Sequence, residues 1–179
     1  MIKCIITLIT CYFFTQSNMK EIYTFSTQTN IKEWRIVNDG VMGGISKSSL
    51  SLTEAGNGQF SGHVSLENNG GFASIQLDTK IKLTEDEKFV VLRIKGDGKR
   101  YELRLKGKSS QYESYVYQFI TSGKWQKLKL PISEFYPQFR GQQLNIPNFN
   151  FSNITQVSFL IANKEEEDFK LLIDWISLE

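Results

Sequence analysis

The sequence predicts an all-β fold, a two-sheet jelly-roll β-sandwich, and three observations predict it. From Lys20 onward apolar residues recur with a period of two rather than 3.6. The alternating runs are short and are separated by turns rich in Gly, Asn and Asp. No segment carries a long amphipathic stripe, and a single long crossover connects about ten short strands, which suits two antiparallel sheets better than a parallel one.

Taken in order, residues 22–25, 34–37 and 46–52 are the first strand candidates. Phe60, Gly62, Val64 and Leu66 then alternate with Ser61, His63 and Ser65, turning one face inward. Residues 72–77 follow the Asn68-Asn69-Gly70-Gly71 turn. Val90, Leu92 and Ile94 alternate with Val91, Arg93 and Lys95, and Tyr101, Leu103 and Leu105 with Glu102, Arg104 and Lys106. Between these two runs lies Gly96-Asp97-Gly98, whose Asp-Gly pair tolerates positive φ and predicts a hairpin. Residues 115–120 and 125–130 come next. Residues 132–152, interrupted by Pro137 and Pro147, are expected to form a long crossing connection with one helical turn near 133–136. Residues 155–162 and 169–178 close the sandwich.

A chain of 179 residues suits one domain, assigned to residues 19–179. Residues 1–18 read differently: Lys3, an apolar run over 4–14 and then Thr15-Gln16-Ser17 form the three regions of a secretory signal peptide. A lipoprotein site at Cys11 fits less well, since Thr10 precedes it. A translation start at Met19 is the third reading. Export, to the periplasm or beyond, follows from the first reading and a cytoplasmic location from the last. The run is too short to span a bilayer, so no stable membrane span is expected in the mature chain. Both cysteines, Cys4 and Cys11, lie in this leader. The domain therefore has no disulfide, thiolate metal site or cysteine nucleophile. The leader lacks arginine, unlike a mitochondrial transit peptide. The net charge of +2, with both signs interspersed, excludes the basic footprint of a nucleic-acid binder.

Residues 38–50, NDGVMGGISKSSL, place three glycines within five residues. No Gly-Lys-Ser/Thr and no helix follow them, which excludes a phosphate loop, and the spacing and context of a dinucleotide fingerprint are missing. Trp34 followed by Asp39-Gly40-Val41-Met42-Gly43-Gly44-Ile45-Ser46 resembles the W…DD-x-MGG-x-S signature of the complex I intermediate-associated protein 30 family. The resemblance continues in order through Phe60-Ser61-Gly62, Asn68 to Ser74, Gly96 to Tyr101, Trp125, Leu130-Pro131, Phe139-Arg140-Gly141 and Phe169…Ile173-Asp174…Ile176. It covers the chain from Glu21 onward. It implies a galactose-binding-like β-sandwich, in agreement with the strand pattern, and an assembly-factor or chaperone role, because mitochondrial members assist assembly of respiratory complex I. Without a mitochondrial leader, the chain resembles the bacterial-type members, whose function is mostly undefined. Asn38 stands where the family pattern has a first aspartate, which puts in doubt the carry-over of any cation role that the acidic pair has in relatives.

Candidate sites follow from the residues. Arg93 and Arg104 lie out of phase with the apolar sets of their strands, and Trp125 shares a side with Lys127 and Lys129. If these strands share a sheet, its outer face is basic with an aromatic platform, suited to a glycan or an acidic protein. The direction of Tyr115, Tyr117 and Phe119 stays open. Asp39, Met42, Gly43 and Gly44 with Asn69, Gly70 and Gly71 form either a binding rim or turn devices that use glycine's freedom. Arg140 completes the set from the family motif. His63, the only histidine, is expected to be a solvated strand residue. Asp39, Asp97, Glu102 and Asp174 lie on different turns and strands, so no facing carboxylate pair is expected. Residues 165–168 read as a solvated hairpin loop. The expectation is a monomeric, non-catalytic binding protein without cofactor or metal, its partner a protein. The alternative is an exported carbohydrate-binding module whose ligand is a glycan.

Overall fold

A computed structural model describes residues 19–179, and the leader expected over 1–18 lies outside the described residues. The strands are β1 (Lys20–Thr24), β2 (Trp34–Ile36), β3 (Lys47–Leu52), β4 (Gly58–Val64), β5 (Ala73–Lys82), β6 (Phe89–Lys95) and β7 (Arg100–Lys106). They continue with β8 (Ser114–Ile120), β9 (Gln126–Pro131), β10 (Tyr136–Phe139), β11 (Gln142–Gln143), β12 (Asn153–Ile161) and β13 (Glu167–Leu178). One antiparallel sheet of six strands runs β3-β4-β13-β6-β9, with β1 also paired to β13. The other, of seven strands, runs β11-β10-β8-β7-β12-β5-β2.

The alternation read from the sequence fills the space between the sheets. Phe60, Leu92, Ile94, Leu171 and Ile173 of the smaller sheet meet Ile75, Tyr101, Leu103, Leu105 and Phe159 of the larger, all fully buried. Each such side chain contributes roughly 1.5–3 kcal/mol on leaving water. Tyr115 and Phe119 also point inward, and Tyr117 packs against the same core, which settles the direction of that aromatic row.

Two sequence expectations are corrected. The Gly96-Asp97-Gly98 turn does not close a hairpin: β6 and β7 lie in different sheets. Gly98 does take positive φ, at +93°. The Asp97 side chain instead fastens the crossing, accepting from the Lys170 N–H at 2.8 Å and the Tyr101 hydroxyl at 3.1 Å. Likewise 132–152 is not only a crossing connection. It contains a 3-10 turn at Ile132–Glu134 and then the β10–β11 hairpin, whose edge position tolerates Pro137. Its two-residue turn puts Arg140 and Gly141 at φ 48° and 76°.

Candidate binding surfaces

The glycine motifs meet around one carboxylate. Asp39 opens a 3-10 turn, Asp39–Met42, and its side chain is fully buried. Oδ1 accepts the Ser46 N–H at 3.0 Å. Oδ2 accepts the Gly71 N–H at 2.7 Å, the Phe72 N–H at 3.3 Å and the Ser46 hydroxyl. The Ser46 hydroxyl oxygen in turn accepts the Ser65 N–H at 2.9 Å. A Cβ at Gly44 would stand 2.4 Å from the Asp39 Cγ, and one at Gly70 would stand 2.7 Å from Oδ2. Both glycines thus serve close approach to the carboxylate. Gly43 ends the turn in the left-handed region at φ +91°. Burial opposes ionisation of Asp39, but the donors from Ser46, Gly71 and Phe72 outweigh it and hold the carboxyl below its ordinary range. Asn38 beside it accepts the Ser48 hydroxyl at 2.7 Å. Exposed Asn69 sits at φ 61°. The two motifs therefore come together as a knot around one buried carboxylate.

The basic face predicted to carry Arg93, Arg104 and Trp125 is divided between the two sheets, because the chain crosses at 96–98. Arg93 on β6 lies 4.7 Å over the Trp125 ring and pairs with Asp174. On the same outer face Lys127, the cross-strand partner of Arg93, lies 6.0 Å from the Trp175 ring. Lys129 lies 4.1 Å over Phe89 and 2.8 Å from Glu179. Three cations thus rest on three rings, each exposed contact worth about 0.5–1 kcal/mol. Trp175 escaped the sequence reading. A bulge between Ile173 and Trp175 turns the indole outward. The step of three from Ile173 to Ile176, inside a period of two, was its signal.

Arg104 belongs to the opposite side of the molecule, on the outer face of the seven-stranded sheet. Its Nε donates to Glu102 at 2.8 Å and its Nη2 to the Gln138 carbonyl at 2.5 Å. Gln118 donates to the other Glu102 oxygen at 3.0 Å. Farther along this face Arg35 pairs with Asp78, which also accepts from Gln156 at 3.0 Å. These three border a depression of about 440 Å³ that Lys106 also lines. Burial pushes the Tyr136 phenol on the same face upward. Sequence reasoning missed the glutamines here, since an isolated Gln on a strand carries no motif. At the sheet's edge Arg140 lies 5.3 Å from the Phe139 ring, which Tyr112 meets edge-on at 5.0 Å.

The remaining carboxylates each have a local partner. Glu102 pairs with Arg104, Asp174 with Arg93, and Asp97 holds its turn. Residues 162–166 join β12 to β13 of the other sheet, so the run 165–168, whose second half begins β13, is not a hairpin loop. Glu167 is buried and pairs with Lys99 at 2.9 Å. His63 is exposed, with Nδ1 2.8 Å from Asp168 and Nε2 3.4 Å from Glu166. The Asp168 hydrogen bond, supported by Glu166, raises its pKa.

Comparison with known proteins adds family and fold. The family described as "Complex I intermediate-associated protein 30 (CIA30)" matches residues 23–173. A Caenorhabditis briggsae protein named "Probable complex I intermediate-associated protein 30, mitochondrial" is 26% identical over 180 residues, covering 87% of this chain and 53% of its own length. The chain thus spans about half of that relative. An uncharacterized protein of Schizosaccharomyces pombe is 29% identical over 168 residues, covering 81% of this chain and 77% of its own length. Among solved structures, a family 11 carbohydrate-binding module from Clostridium thermocellum in complex with a β-1,3-1,4-mixed-linked tetrasaccharide has a TM-score of 0.64 at 17% identity, covering 89% of this chain and 94% of the module. An agarase crystal structure has a TM-score of 0.59 at 13% identity, covering 90% of this chain and 24% of the agarase. These two likenesses are of fold: a jelly-roll β-sandwich.

Proposed function

This chain belongs to the complex I intermediate-associated protein 30 family, and from that premise we propose that it is a non-catalytic binding protein. Its ligand is another protein, docked on the outer face of the six-stranded sheet. The observation that carries the reading is the set of cations laid on rings: Arg93 on Trp125, Lys127 near Trp175 and Lys129 on Phe89. Arg and Trp dominate the energetic centres of protein interfaces, because each offers a large contact area and a directed polar group. A cation already resting on a ring loses less rotamer freedom when a partner covers it. Among the described residues no carboxylate lies within ion-pair distance of Lys95 or Lys127, which favours an acidic partner surface.

Assembly assistance is the form of binding that the family name of the worm relative supports. Removal of the leader would place the partner outside the cytoplasm; a start at Met19 would place it inside, and the N-terminal sequence of the native protein distinguishes these. The binding test is capture with the full chain beside an Arg93→Ala/Trp125→Ala/Lys127→Glu variant. A partner recovered about tenfold less by a variant with an unchanged melting temperature supports the reading. Equal recovery by both proteins overturns it.

A further inference from the structure

The outer face of the seven-stranded sheet has a chemistry unlike that of the face just described. One continuous register row crosses six strands: Tyr136, Val116, Arg104, Ser158, Gln76 and Arg35. Five inter-strand steps give it a length of about 24 Å. Val116, Ser158 and the neighbouring Leu160 point outward yet are almost fully buried, so longer side chains close around them and leave a floor below a rim.

The arginines and acids along the row are matched to one another, while Lys80 and Lys106 at the depression have no carboxylate within ion-pair distance among the described residues. Arg104 is matched to Glu102 and Arg35 to Asp78. The carboxylates also orient amides: Gln118 donates to Glu102 and Gln156 to Asp78, while the Gln138 carbonyl accepts from Arg104. Each of these amides is held at one end. Among the described residues no protein group pairs with the carbonyl oxygens of Gln118 and Gln156 or with the amide nitrogen of Gln138. Gln76, in mid-row, has neither end engaged by another side chain. The face therefore presents oriented donors and acceptors, with both arginines of the row matched to carboxylates.

We propose that this face is a binding groove for a neutral, hydroxyl-rich linear polymer, a polysaccharide. A hydroxyl both donates and accepts, as an amide does, so an array of half-engaged amides complements a row of sugar hydroxyls. An acidic or basic ligand would have to compete with the ion pairs already formed. The groove is long and deepens at its Arg35–Asp78 end into the depression of about 440 Å³, a shape that fits a chain of several rings better than a single small molecule.

The test is native-gel affinity electrophoresis of the full chain in the presence of mixed-linked β-glucan, glucomannan, neutral galactan or, as the charged control, polygalacturonate. At least one neutral polymer retards the wild type, and added salt leaves the retardation unchanged because no ion pair forms. Gln76→Ala/Gln118→Ala weakens retention about tenfold, the loss expected from two hydrogen bonds. Arg93→Ala/Trp125→Ala, on the opposite sheet, leaves retention intact. Should the double glutamine variant show a lowered melting temperature, Gln156→Ala alone carries the comparison and weakens retention severalfold. Retardation by none of the neutral polymers, retardation by polygalacturonate alone, or loss only in the Arg93/Trp125 variant each overturns the proposal. None of these results alters whether a protein docks on the other face.

Discussion

The Asp39 knot and the Trp125 face each hold a charge in place, and they do so in opposite ways. At Asp39 the backbone closes in until four donors point at one carboxylate and no water reaches it. At Trp125 the guanidinium of Arg93 has a ring on one side and solvent on the other, and Trp125 itself is 36% exposed. The first region has the conspicuous sequence motif, and its carboxylate is spent on the chain's own donors. The second has no motif and is open. Glycine clusters mark where main chain must approach a side chain; they say little about where a partner can land.

The sharpest way to break this contrast is Asp39→Ala. It leaves the Ser46, Gly71 and Phe72 N–H groups without an acceptor in a buried site, and should cost about 3 kcal/mol in urea denaturation. The sign with pH follows. The folded carboxyl has the lower pKa, so its contribution is full above the ordinary carboxylate value near about 4 and is lost as pH falls through the folded value. Asp39→Ala should flatten that acid limb. A variant as stable as the wild type would show that the knot stores no stability.

Arg93→Ala/Trp125→Ala is the intermediate case. It removes an exposed ring contact and one side of the Asp174 pair while leaving the core untouched, so the loss in stability should be about 1 kcal/mol. A loss as large as that of Asp39→Ala would make the open face structural as well.

The smallest effect belongs to His63, which faces Asp168 and Glu166 from β13 and its loop and has Lys47 as its cross-strand neighbour on β3. Its folded pKa is raised, so its contribution is full below the ordinary value near about 6.5 and is lost as pH rises through the folded value. Thermal melts across that window should fall slightly in the wild type and stay level in His63→Asn. An identical slope in both would remove His63 as the cause.

Alternation revealed most strands, because one face of each is buried and the period of two is then enforced by the core. Where the pattern was interrupted the reading failed for identifiable reasons. Pro137 and the polar edge residues Gln142 and Gln143 bury no full inner face, so β10 and β11 left little trace. Sheet membership was hidden because Asp97-Gly98 chemistry suits a hairpin and a crossing alike; what decides is the reach of Asp97 to Lys170, 73 residues away. The inward row of Tyr115 and Phe119 needed the pairing of β8 with β7 to orient it. At the candidate sites, residue types were legible but their grouping was not. Arg93 and Trp125 do meet, Arg104 sits on the far side, and the glutamines beside it become a group only across strands distant in sequence.

The β13 strand pairs with β1, β4 and β6, so the middle of one sheet is supplied by residues 167–178. During synthesis, strands made more than a hundred residues earlier wait without their principal neighbour until Leu178 has emerged from the ribosome. Loop closure over such separations is slow, and unpaired edges stay open meanwhile. The edges that β13 covers therefore stay aggregation-exposed until it is made, and the closing of this sheet is timed by a dozen residues.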